Sequence, residues 1–196
     1  MKILFFDIET VPTPEALAEN RLKGNQPQLG EEEIIKRLSL SAVTARILCL
    51  GYVIDPPRDA PIQILKGEES VILEGFWKLA ADTGLFVGHN ILDFDLRFID
   101  QRSILNSIKP SREIPFARFR RSPVFDTMHE WSRWGREFIK LDLLAKSLKI
   151  PSPKTDLDGS KVFGAFRAGR HEEIYEYCKR DVDTVRAVYR RLTFTG

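Results

Sequence analysis

Hydrophobic and polar positions along this chain follow two periods. Residues 2–9, KILFFDIE, crowd apolar side chains into a segment too short for a helix, and read as a strand. ARILCLGYVI (45–54) and IQILKG (62–67) read the same way. The proline-broken turn DPPRDAP (55–61) separates them, which implies an antiparallel meander of three strands. The period then changes. EESVILEGFWKLAAD (68–82) has helical spacing, LFVGHN (85–90) is a short apolar strand, and LDFDLRFIDQRSIL (92–105) returns to helix. SPVFDT (122–127) reads as a fifth strand, LDLLAKSLKI (141–150) as a helix closed by Pro151, and PSPKTDLDGSKVFG (151–164) as a loop. HEEIYEYCKRDVDTVRAVYRRL (171–192) is the clearest helix.

Three strands followed by alternating helices and strands predict an α/β fold with a mixed five-stranded sheet flanked by helices. No repeat or linker divides residues 1–196, so a single domain is expected. Between the first two strands lies a polar insertion, residues 11–45, with two early prolines and a short helix over EEEIIKRLSL (31–40). It follows directly on the first strand and is placed to form a flap over whatever that strand carries.

Composition narrows the class. A chain 43% apolar and 30% charged is globular. No apolar run reaches the length of a spanning helix, and Asp7 and Glu9 break the N-terminal run, against a signal peptide. Cys49 and Cys178 make no disulfide framework, and no Cys/His spacing suggests zinc, so a reducing cytoplasmic compartment is expected. A net charge of +2 neither announces nor excludes a polyanionic partner.

Acids break the apolar pattern in three places. Asp7 and Glu9 stand two apart on the first strand and so share a face. Asp95 follows the fourth strand in GHNILDFD; there Asp93 reads as a helix cap, whereas Asp95 lies too far into the pattern for that. In the last helix Ile174, Tyr177, Asp181, Val185 and Val188 trace one face at steps of three or four, which puts Asp181 inside the inward stripe and Tyr177 one turn before it. Taken alone, Asp181 fits an ion pair with Arg or Lys as well as a ligand role. Tyr177 fits core packing with a satisfied hydroxyl. Asp7 and Glu9 are less easily explained, because two like charges held out of water require a cation between them. Magnesium or manganese fits carboxylates unaccompanied by a matching His or Cys set. Four carboxylates suit two such ions, about 3.5–4 Å apart, around a phosphoryl group in in-line displacement. A phosphodiester substrate is the expectation.

FDIET, GHNILDFD and YCKRD, in that order, resemble the three motifs of the DEDD superfamily of 3′–5′ exonucleases, a branch of the ribonuclease-H-like fold. Tyrosine at the head of the third motif resembles the DEDDy subgroup, which holds polymerase proofreading domains and ribonuclease D. DGSKV with EIYEYCKRDVDT is most similar to stand-alone bacterial proteins related to the exonuclease domain of family-B polymerases. The resemblance spans residues 3 to about 192. It implies that Asp7, Glu9, Asp95 and Asp181 bind the metals and that Tyr177 orients the attacking water. It also implies that the backbone from Ile8 to Thr10 and the side chain of Asn90 contact the 3′-terminal nucleotide, with Phe94 packed or stacked beside it. Asp126, in FDT, either supports this site or caps the segment after it.

Residues 111–140 hold seven Lys/Arg against four acids, with Phe116, Phe119, Phe125, Trp131, Trp134 and Phe138 interleaved. Such a mixture can hold single strands; most of these aromatics are expected in the core, with one or two left for stacking. Lys154, Lys161, Arg167 and Arg170 are either backbone contacts or ordinary surface. His89 and His129 are not expected as ligands: His89 reads as packing or hydrogen bonding near the site. Cys178 reads as a small buried filler. The expected activity is metal-dependent release of nucleoside 5′-monophosphates from single-stranded 3′ ends, DNA before RNA. Ribonuclease D-like RNA trimming and a non-catalytic nucleic-acid-binding module are the alternatives.

Overall fold

The first strand organises the molecule. The computed structural model describes residues 1–22, 30–151 and 157–195. β1 (Ile3–Pro12) lies at the centre of a five-stranded sheet of order β3-β2-β1-β4-β5. It pairs antiparallel with β2 (Ala45–Asp55), which pairs antiparallel with β3 (Gln63–Lys66), giving the expected meander. On its other side β1 runs parallel to β4 (Leu85–Gly88), and β4 runs parallel to β5 (Val124–Asp126).

Helices cover both faces, which is why β1 reads as almost continuously apolar. Leu4, Phe6 and Ile8 pack with Ile72, Leu73 and Phe76 of α3 (Glu69–Ala80) and with Leu96 and Ile99 of α4 (Asp95–Leu105). On the opposite face Phe5, Val53 and Val87 meet Val182 and Val185 of the long C-terminal helix, His171–Thr193. Glu69 is a buried bolt between these layers. It accepts from the Ile47 amide at 2.8 Å, from Arg102 Nε at 2.9 Å and from Asn106 Nδ2 at 3.2 Å, so α3, β2 and α4 share one carboxylate.

Several elements differ from expectation. Among its described residues the insertion holds two helices, α1 (Pro14–Leu22) and α2 (Glu31–Ser39), of which only the second was legible. α1 has a weak apolar stripe; its signal is Thr13, whose hydroxyl accepts from the Ala16 amide at 3.2 Å, followed by Pro14, which suits a first turn. Residues 92–94 stay out of α4, because the chain turns tightly at Asn90 (φ 65°) and the Asp93 and Phe94 amides bond to its carbonyl. Beyond β5 come α5 (Thr127–Trp131) and α6 (Leu141–Ser147). The expected loop at 151–164 ends instead in a 3₁₀ turn, Gly159–Lys161, and a short helix, α7 (Val162–Arg167), before α8 (His171–Thr193); residues 152–156 of that loop lie outside the described residues. Among the described residues no helix is long and apolar enough to cross a membrane.

Candidate active site

β1 outruns its parallel neighbour. Its pairing with β4 ends at Phe5↔Val87, whereas its pairing with β2 continues to Pro12↔Ala45. Among the described residues no strand covers the β4 side of β1 beyond that point. The first residue of α4 takes the place of a strand: the Ile8 amide donates to Asp95 Oδ1 at 3.1 Å. Asp7 and Glu9 project from this overhang toward α8, and the ladder shifts register between Glu9 and Thr10.

Four carboxylates meet here. Burial, then repulsion from Asp95 and Asp181, hold the Asp7 carboxyl well above the usual range. Glu9, 8% exposed, is raised by burial and then by Asp7 and Asp181. Asp95 is pushed up to about 7 by burial, against the opposing Ile8 hydrogen bond. Tyr177 is buried in the same cluster, and its hydroxyl bonds to Asp181 one turn on. Burial, then Asp181, Glu9 and Asp7, raise its pKa, so it stays protonated. The structure therefore brings together all five of the residues expected to do the chemistry.

Clustered carboxyls that raise one another's pKa are what a divalent cation relieves, and oxygen donors of this kind suit magnesium or manganese. The carboxyls of Asp7, Glu9, Asp95 and Asp181 are oxygen donors of this kind. Cys178 is nearer to this set than a filler need be. One ligand atom each from Asp7, Glu9 and Cys178 lies within 4.8 Å of the others, and Cys178 Sγ is 3.8 Å from Asp7 Oδ2. The thiol also accepts from the Gly51 amide at 3.2 Å, and burial raises its pKa. Glycine gives this approach room: a Cβ at position 51 would sit 3.0 Å from Cys178 Sγ and 3.2 Å from the Cys178 carbonyl oxygen.

The turn leading to Asp95 is held from behind. Asp126, fully buried, accepts from the amides of Asn90 at 2.9 Å and Leu92 at 3.1 Å, and from Met128 at 3.0 Å and His129 at 3.4 Å. It thus both caps α5 and supports the second motif. Asp93, expected as a cap, is not one: Phe94 occupies the N-cap position of α4, and Asp93 binds Arg118 at 2.6 Å and His129 Nε2 at 3.0 Å. The late start of α4 removes the capping position, and charged partners take the carboxylate instead. His89 bonds to Thr127 Oγ1 at 2.9 Å and, through Nε2, to the Ile139 carbonyl at 2.8 Å, with burial lowering its pKa.

The residues expected at the substrate flank this centre. Thr10 Oγ1 donates to the Ser39 carbonyl at 2.8 Å, tying α2 to β1, and Phe94 is partly buried against Phe98. Of the aromatics in 111–140, Phe125 is buried and Phe116 and Trp134 pack on the core; Phe119, Phe138 and Trp131 are exposed, so half of the six, where most were expected, lie with the core. Lys161, Arg167 and Arg170 form ion pairs with Asp158, Glu31 and Glu173; Lys154 lies outside the described residues.

Fold and site together define an α/β protein with an acidic centre at the overhanging end of its central strand. The chain belongs to a family described as a predicted 3′–5′ exonuclease related to the exonuclease domain of PolB, whose model matches residues 59–195. That stretch contains Asp95, Tyr177 and Asp181; Asp7 and Glu9 precede it. The chain is also similar to the family B DNA polymerase from the hyperthermophilic archaeon Pyrobaculum calidifontis, with a TM-score of 0.70 over 98% of this chain at 14% identity. The chain spans 24% of that polymerase, and the shared fold is ribonuclease-H-like. No curated protein sequence matches the chain.

Proposed function

We propose that this chain is a DEDDy-type exonuclease that removes nucleoside 5′-monophosphates from the 3′ end of single-stranded nucleic acid, DNA in preference to RNA. The observation that carries this reading is the gathering of Asp7, Glu9, Asp95 and Asp181 around the β1 overhang, with the Tyr177 hydroxyl on Asp181. A pair of magnesium or manganese ions held by these carboxylates would supply the charge that activates water and stabilises the departing oxygen. The chain's own residues do the rest. Tyr177, kept protonated, orients the water in line with the scissile phosphorus. The backbone from Ile8 to Thr10 and the Asn90 side chain hold the terminal nucleotide, and Phe94 packs against it. The water oxygen bonds to phosphorus as the bond to the preceding 3′ oxygen breaks, and that oxygen leaves as the new 3′ hydroxyl.

Helices α1 and α2 act as a flap over this centre within a single domain. The two free, buried cysteines accord with a reducing, cytoplasmic setting. Labelled single-stranded DNA and RNA, incubated with and without magnesium, test the reading. Mononucleotide release from the 3′ end is expected, faster on DNA, and lost with EDTA or Asp7→Ala. Shortening that persists in EDTA rules out the metal centre; binding without shortening makes this a non-catalytic module.

A further inference from the structure

A second feature is built at the far end of β1. The insertion helices and α7 enclose a groove of about 520 Å³. Phe163 and Phe166 of α7 line one side; Leu17 of α1 and Ile34 and Ile35 of α2 line the other. Pro12, the last residue of β1, lies in its wall. Two arginines also line it. The Arg46 guanidinium lies over the Phe166 ring at 5.6 Å, and that of Arg167 over Phe163 at 5.9 Å. α1 and α2 precede residue 59, so this groove is made partly by chain outside the family match.

We infer that the groove is a subsite for a nucleobase of the single strand, upstream of the nucleotide at the metal centre. The inference rests on the exonuclease reading and extends it to the rest of the substrate. Three observations select this occupant. Planar guanidinium groups held over aromatic rings, Arg46 on Phe166 (itself stacked on His171 at 5.3 Å) and Arg167 on Phe163, present planes on which bases stack without sequence preference. The charge is complementary: Arg46 and Arg167 are placed to meet the phosphates flanking a seated base. Arg167 also reaches across to Glu31 at 3.4 Å, and an exposed pair of this kind contributes little, so exchanging that carboxylate for a phosphate costs little. The groove and the acidic centre also share a strand, since Pro12 in the groove wall belongs to β1 as Glu9 does. Glu9 and Pro12 are three residues apart on one strand, roughly 10 Å, which a single strand covers in about two to three nucleotides.

Two substrates separate the subsite from the centre. The p-nitrophenyl ester of thymidine 5′-monophosphate fills only the terminal position; an oligothymidylate long enough to reach the groove fills both. Phe163→Ala with Phe166→Ala removes the rings that hold the Arg167 and Arg46 planes in place. Ile34→Trp fills the groove from a helix that buries no residue fully, and Arg167→Glu reverses an exposed charge. Each variant is expected to lose about tenfold in kcat/KM on the oligothymidylate while leaving ester hydrolysis unchanged. Thermal unfolding identifies any variant that fails to fold, and the remaining ones then carry the test. An equal fall on both substrates, or no fall on either, overturns the subsite. If the wild-type protein cleaves neither substrate, the exonuclease reading fails separately. Anisotropy of labelled oligothymidylate in EDTA then reads the groove alone: weaker binding by the variants supports the subsite, and equal binding overturns it.

Discussion

The amide of Ile8 and the carboxylate of Asp95, 87 positions apart, form one hydrogen bond of 3.1 Å at the overhanging end of the central strand. Through it Asp95 satisfies a strand amide that has no strand partner on that side, while standing among Asp7, Asp181 and Asp126 as one of several like charges. Structural and chemical duties meet in a single side chain, and substitutions can separate them.

Asp95→Asn keeps an acceptor for Ile8 and removes a charge. In EDTA at about pH 8 it should be at least as heat-stable as the wild type, because a buried charge is removed and with it some repulsion from Asp126 and Asp181, while exonuclease activity falls by about 100-fold or more. Asp95→Ala loses both roles and leaves a buried amide unsatisfied, at a cost of about 1–3 kcal/mol. Thermal unfolding and release of label from a single-stranded end measure the two effects. An Asn variant that is markedly less stable than the wild type would contradict the cost assigned to this buried charge.

The same cluster sets a dependence on pH. Asp7, Glu9 and Asp95 have folded-state pKa values raised by burial first, Asp95 to about 7. The folded state then holds these protons more tightly than the unfolded chain. Without metal, the resulting stability is complete below the unfolded carboxylate values near 4 and is lost as pH rises toward about 7, with Asp95 contributing on the order of 4 kcal/mol. Tm in EDTA should fall between about pH 5 and pH 8. Magnesium or manganese should raise Tm strongly at the upper pH and little at the lower, where protons compete for the same oxygens. A metal-induced rise that is equal at both values would show that these carboxylates are not the ligands.

How much of this was legible in the sequence depended on where each signal resides. Asp7 and Glu9 could be placed because strand alternation is local. Asp181 and Tyr177 could be placed because the apolar stripe of α8 is long. α1 and α7 were missed: one has almost no apolar period, and the other is six residues with a glycine inside. Asp93 and Glu69 were out of reach for another reason. Their partners, His129 and Arg118 for one and Ile47, Arg102 and Asn106 for the other, lie 22 to 37 positions away, and no local pattern records them. Asp126 stood between two readings because both hold: a carboxylate has enough lone pairs for four amides at once.

Asp126→Ala should therefore be costly at a distance from the chemistry. It strips the acceptor from four amides, two in the turn at Asn90 and Leu92 and two at the start of α5. A loss of about 3 kcal/mol in urea unfolding is expected, from the buried donors left behind. Activity measured where the variant is fully folded should also drop, because Asn90 and Asp95 sit on the released turn. Full activity in a destabilised variant would show that the second motif holds its shape without this support.

The last test concerns how closely α8 must approach the sheet. Gly51 lies opposite Asp7 in the β1–β2 ladder, and its missing side chain lets Cys178 and Val182 settle against β2. A Cβ there would meet Cys178 Sγ at 3.0 Å, Val182 Cγ2 at 3.1 Å and the Cys178 carbonyl oxygen at 3.2 Å. Gly51→Ala should push the helix outward and cost about 1–3 kcal/mol. Tyr177 and Asp181 move with the helix, so activity should fall even in buffers where the variant is fully folded. Adding Cys178→Ala removes the sulfur contact but leaves the carbonyl, so stability should return only in part. If Gly51→Ala is as stable and as active as the wild type, the helix has slack at this contact and the glycine does not set the position of Tyr177 and Asp181.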